Sequence, residues 1–282
     1  MMTHHLLEGK RGIIFGAINS NSIAWAVAEQ VVAEGASIVL TNTAVAVRFS
    51  DIKQLSQQLN APVIETDATS ENDLRNLLAQ SQEILGGKID FILHAVAMSG
   101  NIRKNRTYSN LDYQQYIQTI NVSAISFHKL LQVAFEMDAI AEYGSVVALT
   151  FIASHRVFPS YSDMADAKAM LESITRNFGM IYGEKRNVRV NTVSQSPTIT
   201  TAGSGIDGFD KFYKLSDIAS PLGNASAHDC AGFCVTLFSD YTRKVTMQNL
   251  YHDGGFSSTG VSNKLIDFVD SHISEDILTS QD

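Results

Sequence analysis

Short apolar runs alternate with helical patterns along almost the whole 282-residue chain. Residues 11–15, 37–41, 62–65, 88–94, 145–150, 188–193 and 247–253 read as strands, each bounded by glycine, polar or helical stretches. Strands linked through helices run parallel, because a parallel pair needs a long crossover that a tight turn cannot supply. Runs that stay apolar at consecutive positions need cover on both faces. The expected fold is therefore α/β: one Rossmann-like, doubly wound parallel sheet of about seven strands. No repeat, low-complexity tract or linker divides residues 1–282, so a single domain is expected.

Charge narrows the function classes. Asp and Glu number 29 against 21 Lys and Arg, a net charge of −8, which argues against nucleic acid or an anionic membrane as partner. No run approaches the ~18 apolar residues of a membrane span. The start is too short and polar for a signal peptide, so a cytoplasmic location is expected. Cys230 and Cys234, without nearby histidines, make a poor zinc site, and no metal is expected.

A dinucleotide site is suggested where the first strand meets Gly16 and a helix opening near Ser22 and Ile23. Free amides and the positive end of a helix dipole there suit a diphosphate. Ser22 stands at the N-cap, where a second glycine is usual. After the second strand no acid is present to bind a ribose 2′-hydroxyl. Arg48 either faces a 2′-phosphate or is a solvated residue opening the next helix. Ser70-Glu-Asn-Asp73 reads as a capping box, and Ser226-Ala-His-Asp229 as the cap of a later helix. Ala95-Val-Ala-Met-Ser-Gly100 follows the fourth strand with small side chains, which serve either a flat ring or tight packing. Residues 111–138 read as one long helical region. The stretch 194–220, rich in Ser, Thr and Gly and poor in large apolar anchors, reads as a substrate lid. The tail, about 265–282, is acidic and peripheral.

Tyr161 and Lys168 stand seven residues apart, close to two helical turns, so both are expected on one face of one helix. Leu171, Ile174, Phe178 and Ile181 would form its buried stripe. An ammonium beside a phenol makes the hydroxyl a stronger donor to an oxygen that gains negative charge.

Together Gly16-x5-Ser22-x-Ala24, Tyr161-x6-Lys168, the run from Arg189 to Pro197 and Asp253-Gly-Gly-Phe256 resemble the enoyl-[acyl-carrier-protein] reductases of bacterial type II fatty acid synthesis. That family is a divergent branch of the short-chain dehydrogenase/reductases. Ser-Asp-Met-Ala-Asp-Ala-Lys and Thr-Met-Gln-Asn-Leu-Tyr-His-Asp-Gly-Gly are shared with its Bacteroidetes members. The resemblance implies reduction of the 2,3 double bond of trans-2-enoyl thioesters on acyl carrier protein, by a homotetramer. NADH is the implied cofactor, with NADPH open. It implies Gly16, Ser22 and Ile23 at the diphosphate, Asp67 and Ala68 at the adenine, and Val96 and Lys168 at the nicotinamide ribose. Thr198, Ile199, Thr200, Thr201 and Ala202 would meet the carboxamide and phosphates at the start of a lid over about 198–217. Tyr161 would bond the thioester oxygen, beside Ser99 and Phe151 in the substrate site. Two positions depart from the common pattern. Phe151 stands where many members have a second tyrosine, and Ser196-Pro197 replaces Gly-Pro. The alternatives are a short-chain carbonyl reductase, which the Tyr-x6-Lys spacing opposes, and a non-catalytic dinucleotide-binding regulator.

Overall fold

The computed structural model describes residues 4–201, 203 and 206–272. Seven strands form one parallel sheet: β1 Arg11–Phe15, β2 Ser37–Asn42, β3 Val63–Glu65, β4 Ile89–His94, β5 Ile140–Thr150, β6 Arg189–Gln195 and β7 Asn249–His252. Their order is β3-β2-β1-β4-β5-β6-β7. The apolar runs explain the two-faced burial: Ile14 and Leu40 pack on one side of the sheet, and their neighbours Ile13 and Val39 on the other.

Helices α1 Ile23–Ala33, α2 Ala44–Phe49, α3 Ile52–Leu59, α4 Glu71–Leu85, α5 Gly100–Arg103, α6 Tyr113–Ile120 and α7 Ser126–Glu136 follow in chain order, then α8 Met164–Arg186, α9 Phe209–Ala219, α10 Ala227–Phe238 and α11 Asn263–His272. Residues of α1, α3 and α10 share one core cluster, and those of α4, α7 and α8 share the other. The order reverses direction between β1 and β4. In such sheets the ligand crevice opens there, beyond the carboxyl ends of the strands.

Several local expectations differ from the structure. The region 111–138 is two α-helices joined by a π-helical turn, Asn121–Ile125. Ser70 accepts from the Asp73 amide, but the Asp73 carboxylate reaches past it to the Asp67 amide, so the capping box is half formed. The box at Ser226 and Asp229 is complete. Ile181 is exposed, and Tyr182 takes its place in the core with its hydroxyl on the Leu131 carbonyl. Arg48 lies in the last turn of α2 rather than opening it, over the ring of Phe49. Of the tail, residues 263–272 are helical, and 273–282 lie outside the described residues.

Candidate active site

A cavity of about 410 Å³ opens at the switch between β1 and β4. Its floor begins at Gly16, whose φ of +94° turns the chain sharply out of β1. A Cβ there would sit 2.1 Å from the Ala95 carbonyl oxygen, so only glycine lets the two strand ends meet. Ser22 occupies the N-cap position of α1, yet its side chain does not cap the helix. Its Oγ instead accepts from the Ile18 and Asn19 amides and donates to the Asn19 carbonyl, which ties the turn into a closed loop. The amides of Trp25 and Ala26 bond back to Ser22, whereas those of Ile23 and Ala24 have no partner among the described residues. Two free amides, a helix N-terminus and a backbone corner without a side chain make a cradle that fits a dinucleotide diphosphate.

Tyr161 and Lys168 both line this cavity, but they reach it differently from the expected common helix. Tyr161 ends a 3₁₀ turn, Pro159–Tyr161, and α8 begins only at Met164. Between them Ser162 adopts φ 46°, ψ −135°. For a non-glycine residue such a conformation costs about 1–3 kcal/mol and persists only where its surroundings hold it. Ser162 Oγ donates to the Arg106 carbonyl at 3.1 Å, and Asp163 is buried just after it. Tyr161 packs its ring 4.9 Å from that of Phe151, and its hydroxyl has no hydrogen-bond partner among the described residues. Burial pushes the phenol up, so it stays protonated and serves as a donor. Lys168 is buried and gives a hydrogen bond to the Leu149 carbonyl at 2.8 Å. Burial pulls its ammonium down to about 8, against the opposing pull of the Glu172 carboxylate.

The facing wall comes from residues 195–212. Gln195 Nε2 and the Ala225 carbonyl hold the Thr198 hydroxyl, which leaves the Thr198 backbone for a ligand. Asn19 Nδ2 donates to Thr201 Oγ1 at 2.8 Å, joining this wall to the β1 turn. The stretch is less bare of apolar anchors than its composition implies. Phe209 is buried, and Phe212 packs edge-on against Phe151 and Phe158. The cavity therefore has a polar end near Gly16, Lys168 and Thr200 and an aromatic end around Phe151, Phe158 and Phe212.

A sequence profile for the enoyl-(acyl-carrier-protein) reductases matches residues 16–257. The chain belongs to that family. It is 33% identical to the NADH-dependent enoyl-[acyl-carrier-protein] reductase of Rickettsia bellii, over 94% of this chain and the whole of that protein. The crystal structure of the FabI–NADH complex from Alistipes finegoldii matches with a TM-score of 0.92 and 58% identity, over 93% of each chain. The Aquifex aeolicus enzyme matches with a TM-score of 0.84 at 26% identity, over 91% of this chain and all of that one.

Within this reductase the residues singled out from sequence divide into groups. Gly16, Ser22, Ile23, Ser99, Phe151, Tyr161, Lys168, Thr198, Thr200 and Thr201 share the cavity. Asp67, Ala68, Val96 and Ile199 lie outside its lining. Asp67 follows β3 and accepts from the Thr69 amide and hydroxyl, Ala68 is buried, and Ile199 is 64% exposed. Ala202 lies outside the described residues. Ser99 reaches the wall with its hydroxyl already engaged, donating to Asp163 at 2.6 Å and accepting from the Ile102 amide.

Phe158 and Arg103, in segments with no pattern of their own, and Phe212, within the expected lid, were not singled out at the site. His94 also escaped notice. It ends β4, buried between Phe15 and Phe127, with Nε2 3.0 Å from Ser126 Oγ. Ser126 gives its own proton to the Val122 carbonyl, so Nε2 carries the imidazole proton. Burial, helped by the nearby Lys168 charge, holds this histidine down at about 3 and therefore neutral. Among the described residues no group of His, Cys, Asp or Glu could hold a metal, and no helix is long and apolar enough to cross a membrane. Cys230 and Cys234 are free and buried in the core.

Proposed function

We propose that this chain reduces the 2,3 double bond of trans-2-enoyl thioesters borne on acyl carrier protein, with NADH as reductant. The observation that carries this reading is the Tyr161 hydroxyl: protonated, without a hydrogen-bond partner among the described residues, and lining the cavity it shares with Lys168 and the β1 cradle. NADH, when bound, would supply a hydride for the β-carbon, and the negative charge would rest on the thioester oxygen until a proton from solvent reaches the α-carbon. Tyr161 donates a hydrogen bond to that oxygen, an interaction that strengthens as the charge develops. Lys168 orients the nicotinamide ribose, and Gly16, Ser22 and Ile23 hold the diphosphate. The Thr198 backbone meets the carboxamide, and Thr200 and Thr201 flank the phosphates with Ile199 and Ala202 in the same stretch. Asp67 and Ala68 flank the adenine, and Val96 the ribose. Phe151, Phe158 and Phe212 enclose the acyl chain, where a second tyrosine is not needed to exclude water.

Residues 198–217 form a lid over this end. The enzyme works as a cytoplasmic homotetramer; exposed Tyr113, Ile117 and Met180 on α6 and α8 would suit a contact between subunits. Preference for NADH follows from the second strand's end: Arg48 is stacked on Phe49 in the last turn of α2, with no second cation beside it in sequence to bind a 2′-phosphate. The test is oxidation of NADH and NADPH with 2-enoyl and 3-ketoacyl thioesters of equal length. Enoyl turnover with NADH supports the reading. Ketoacyl turnover alone would make the chain a carbonyl reductase, and no turnover would leave a binding protein.

A further inference from the structure

Asp163 is fully buried, two residues beyond Tyr161, and its partners are all neutral. Ser99 Oγ donates to Oδ1 at 2.6 Å, Asn101 Nδ2 donates to Oδ2 at 2.8 Å, and the single proton of Thr119 Oγ1 lies between Oδ2 at 2.8 Å and the Gln115 carbonyl at 2.9 Å. A buried carboxylate without a cation is retained only where strong, charge-assisted hydrogen bonds offset its lost hydration. The donors come from two neighbouring parts of the cavity's frame, Ser99 and Asn101 from α5 and its cap and Thr119 from α6. Ser99 caps α5 through the Ile102 amide. Asn101 clasps the Asp112 backbone, and Asp112 in turn caps α6 through the Gln114 and Gln115 amides. Thr119 lies near the end of α6 itself.

We infer that Asp163 is a positioning residue for Tyr161: it pins the turn that carries the tyrosine to the α5–α6 frame and so fixes the hydroxyl over the substrate site. The inference rests on the reading of Tyr161 as donor to the thioester oxygen. Tyr161 is connected to the rigid part of α8 only through Ser162, which sits at φ 46°. The left-handed joint is held on one side by the Ser162 bond to Arg106 and on the other by the Asp163 clasp. If the clasp loosens, Ser162 can relax and the phenol swings, while Lys168, further along α8, stays in place. An asparagine at 163 cannot restore the clasp. Whichever way its amide turns, one donor loses its acceptor: Ser99 Oγ in one orientation, Asn101 Nδ2 in the other.

The test compares Asp163→Asn and Thr119→Val, each in the wild-type and the Tyr161→Phe background, by kcat with an enoyl thioester and by direct titration of NADH. Misplacement of a reacting group by about 1 Å costs up to ~100-fold. The expectation is a kcat ~10–100-fold lower for Asp163→Asn and a smaller, same-direction loss for Thr119→Val, with the NADH dissociation constant within about twofold. In the Tyr161→Phe background neither substitution should lower kcat by more than about threefold, because the group they position is gone. Losses that multiply across the two backgrounds would show a general structural role and overturn the inference, as would unchanged kcat in both single variants. If Asp163→Asn does not fold, the Thr119→Val pair decides by the same criterion. Wild-type inactivity toward the thioester would instead refute the functional reading, and it registers before any variant is compared.

Discussion

Replacing Gly16 by alanine tests the geometry of the dinucleotide cradle directly. The added methyl would lie 2.1 Å from the Ala95 carbonyl oxygen, on a backbone with φ +94°. Ordinary contact requires the ends of β1 and β4 to part by about 1 Å. A non-glycine residue at this φ costs about 1–2 kcal/mol, and overpacking between two backbones adds about 1–3 kcal/mol. A total of about 3 kcal/mol lowers the melting temperature by roughly 6–10 °C in a domain of this size. The same movement displaces the amides facing the diphosphate and the stretch after β4, so NADH affinity should fall about tenfold or more. The matched control is Gly232→Ala. Gly232 lies exposed inside α10, and a Cβ there meets nothing within 4 Å. Alanine in a helix interior is favoured over glycine by about 0.5–1 kcal/mol, so this variant should melt slightly higher and bind NADH normally. Calorimetry and NADH titration on the two proteins decide the matter. A Gly16→Ala protein that melts and binds like wild type would show that the β1–β4 corner is not the cradle.

Three further outcomes are expected. Tyr161→Phe should lower kcat by ~10²–10³ with an unchanged melting temperature, since the hydroxyl has no partner to orphan among the described residues; turnover within a few-fold of wild type would make the tyrosine structural. In the free enzyme Lys168 is drawn down from 10.5 to about 8, so the unfolded chain holds more protons between those values and this group's contribution to stability rises with pH across that window. Lys168→Met should remove that rise, measured as the difference in melting temperature against pH, and should also remove the loss of NADH affinity above about pH 8. Hydrogen exchange over 198–201 should slow when NADH binds, while α9, anchored by Phe209 and Phe212, should already be protected without ligand; equal exchange at 198–201 in both states would make that stretch a fixed loop.

Much of the frame was legible because a doubly covered parallel sheet leaves a strong trace. Strands such as Ile89–His94 are apolar at nearly every position, and their ends fall at glycine or at small residues. The Ser226 capping box was legible for a similar reason: its partners lie within one turn, and no distant group competes for them. Ser70 failed the same pattern because the Asp67 amide, held nearby by the turn after β3, captured the Asp73 carboxylate. Helix α9 was hidden by its surroundings. Ser, Thr and Gly dominate the stretch before it, while Phe212, which anchors it, finds its partners Phe151, Phe158 and Phe256 in remote segments.

The Tyr161–Lys168 pair shows how two residues expected to share one site can reach one cavity through a local structure other than the expected helix. Seven residues suit two helical turns, and nothing in the local sequence forbids them. What breaks the helix is tertiary: the Arg106 carbonyl takes the Ser162 hydroxyl, and the Ser99, Asn101 and Thr119 donors take the Asp163 carboxylate. Those bonds turn Ser162 left-handed and delay α8 until Met164. The consequence reaches the chemistry. A tyrosine on a regular helix is aimed by that helix, together with its lysine. Here the two are aimed separately, Lys168 by α8 and the Leu149 carbonyl, and Tyr161 by a buried polar clasp built from residues scattered over the chain. The aim of Tyr161 can therefore be altered without disturbing Lys168, a separation that the spacing of the two residues alone could not reveal.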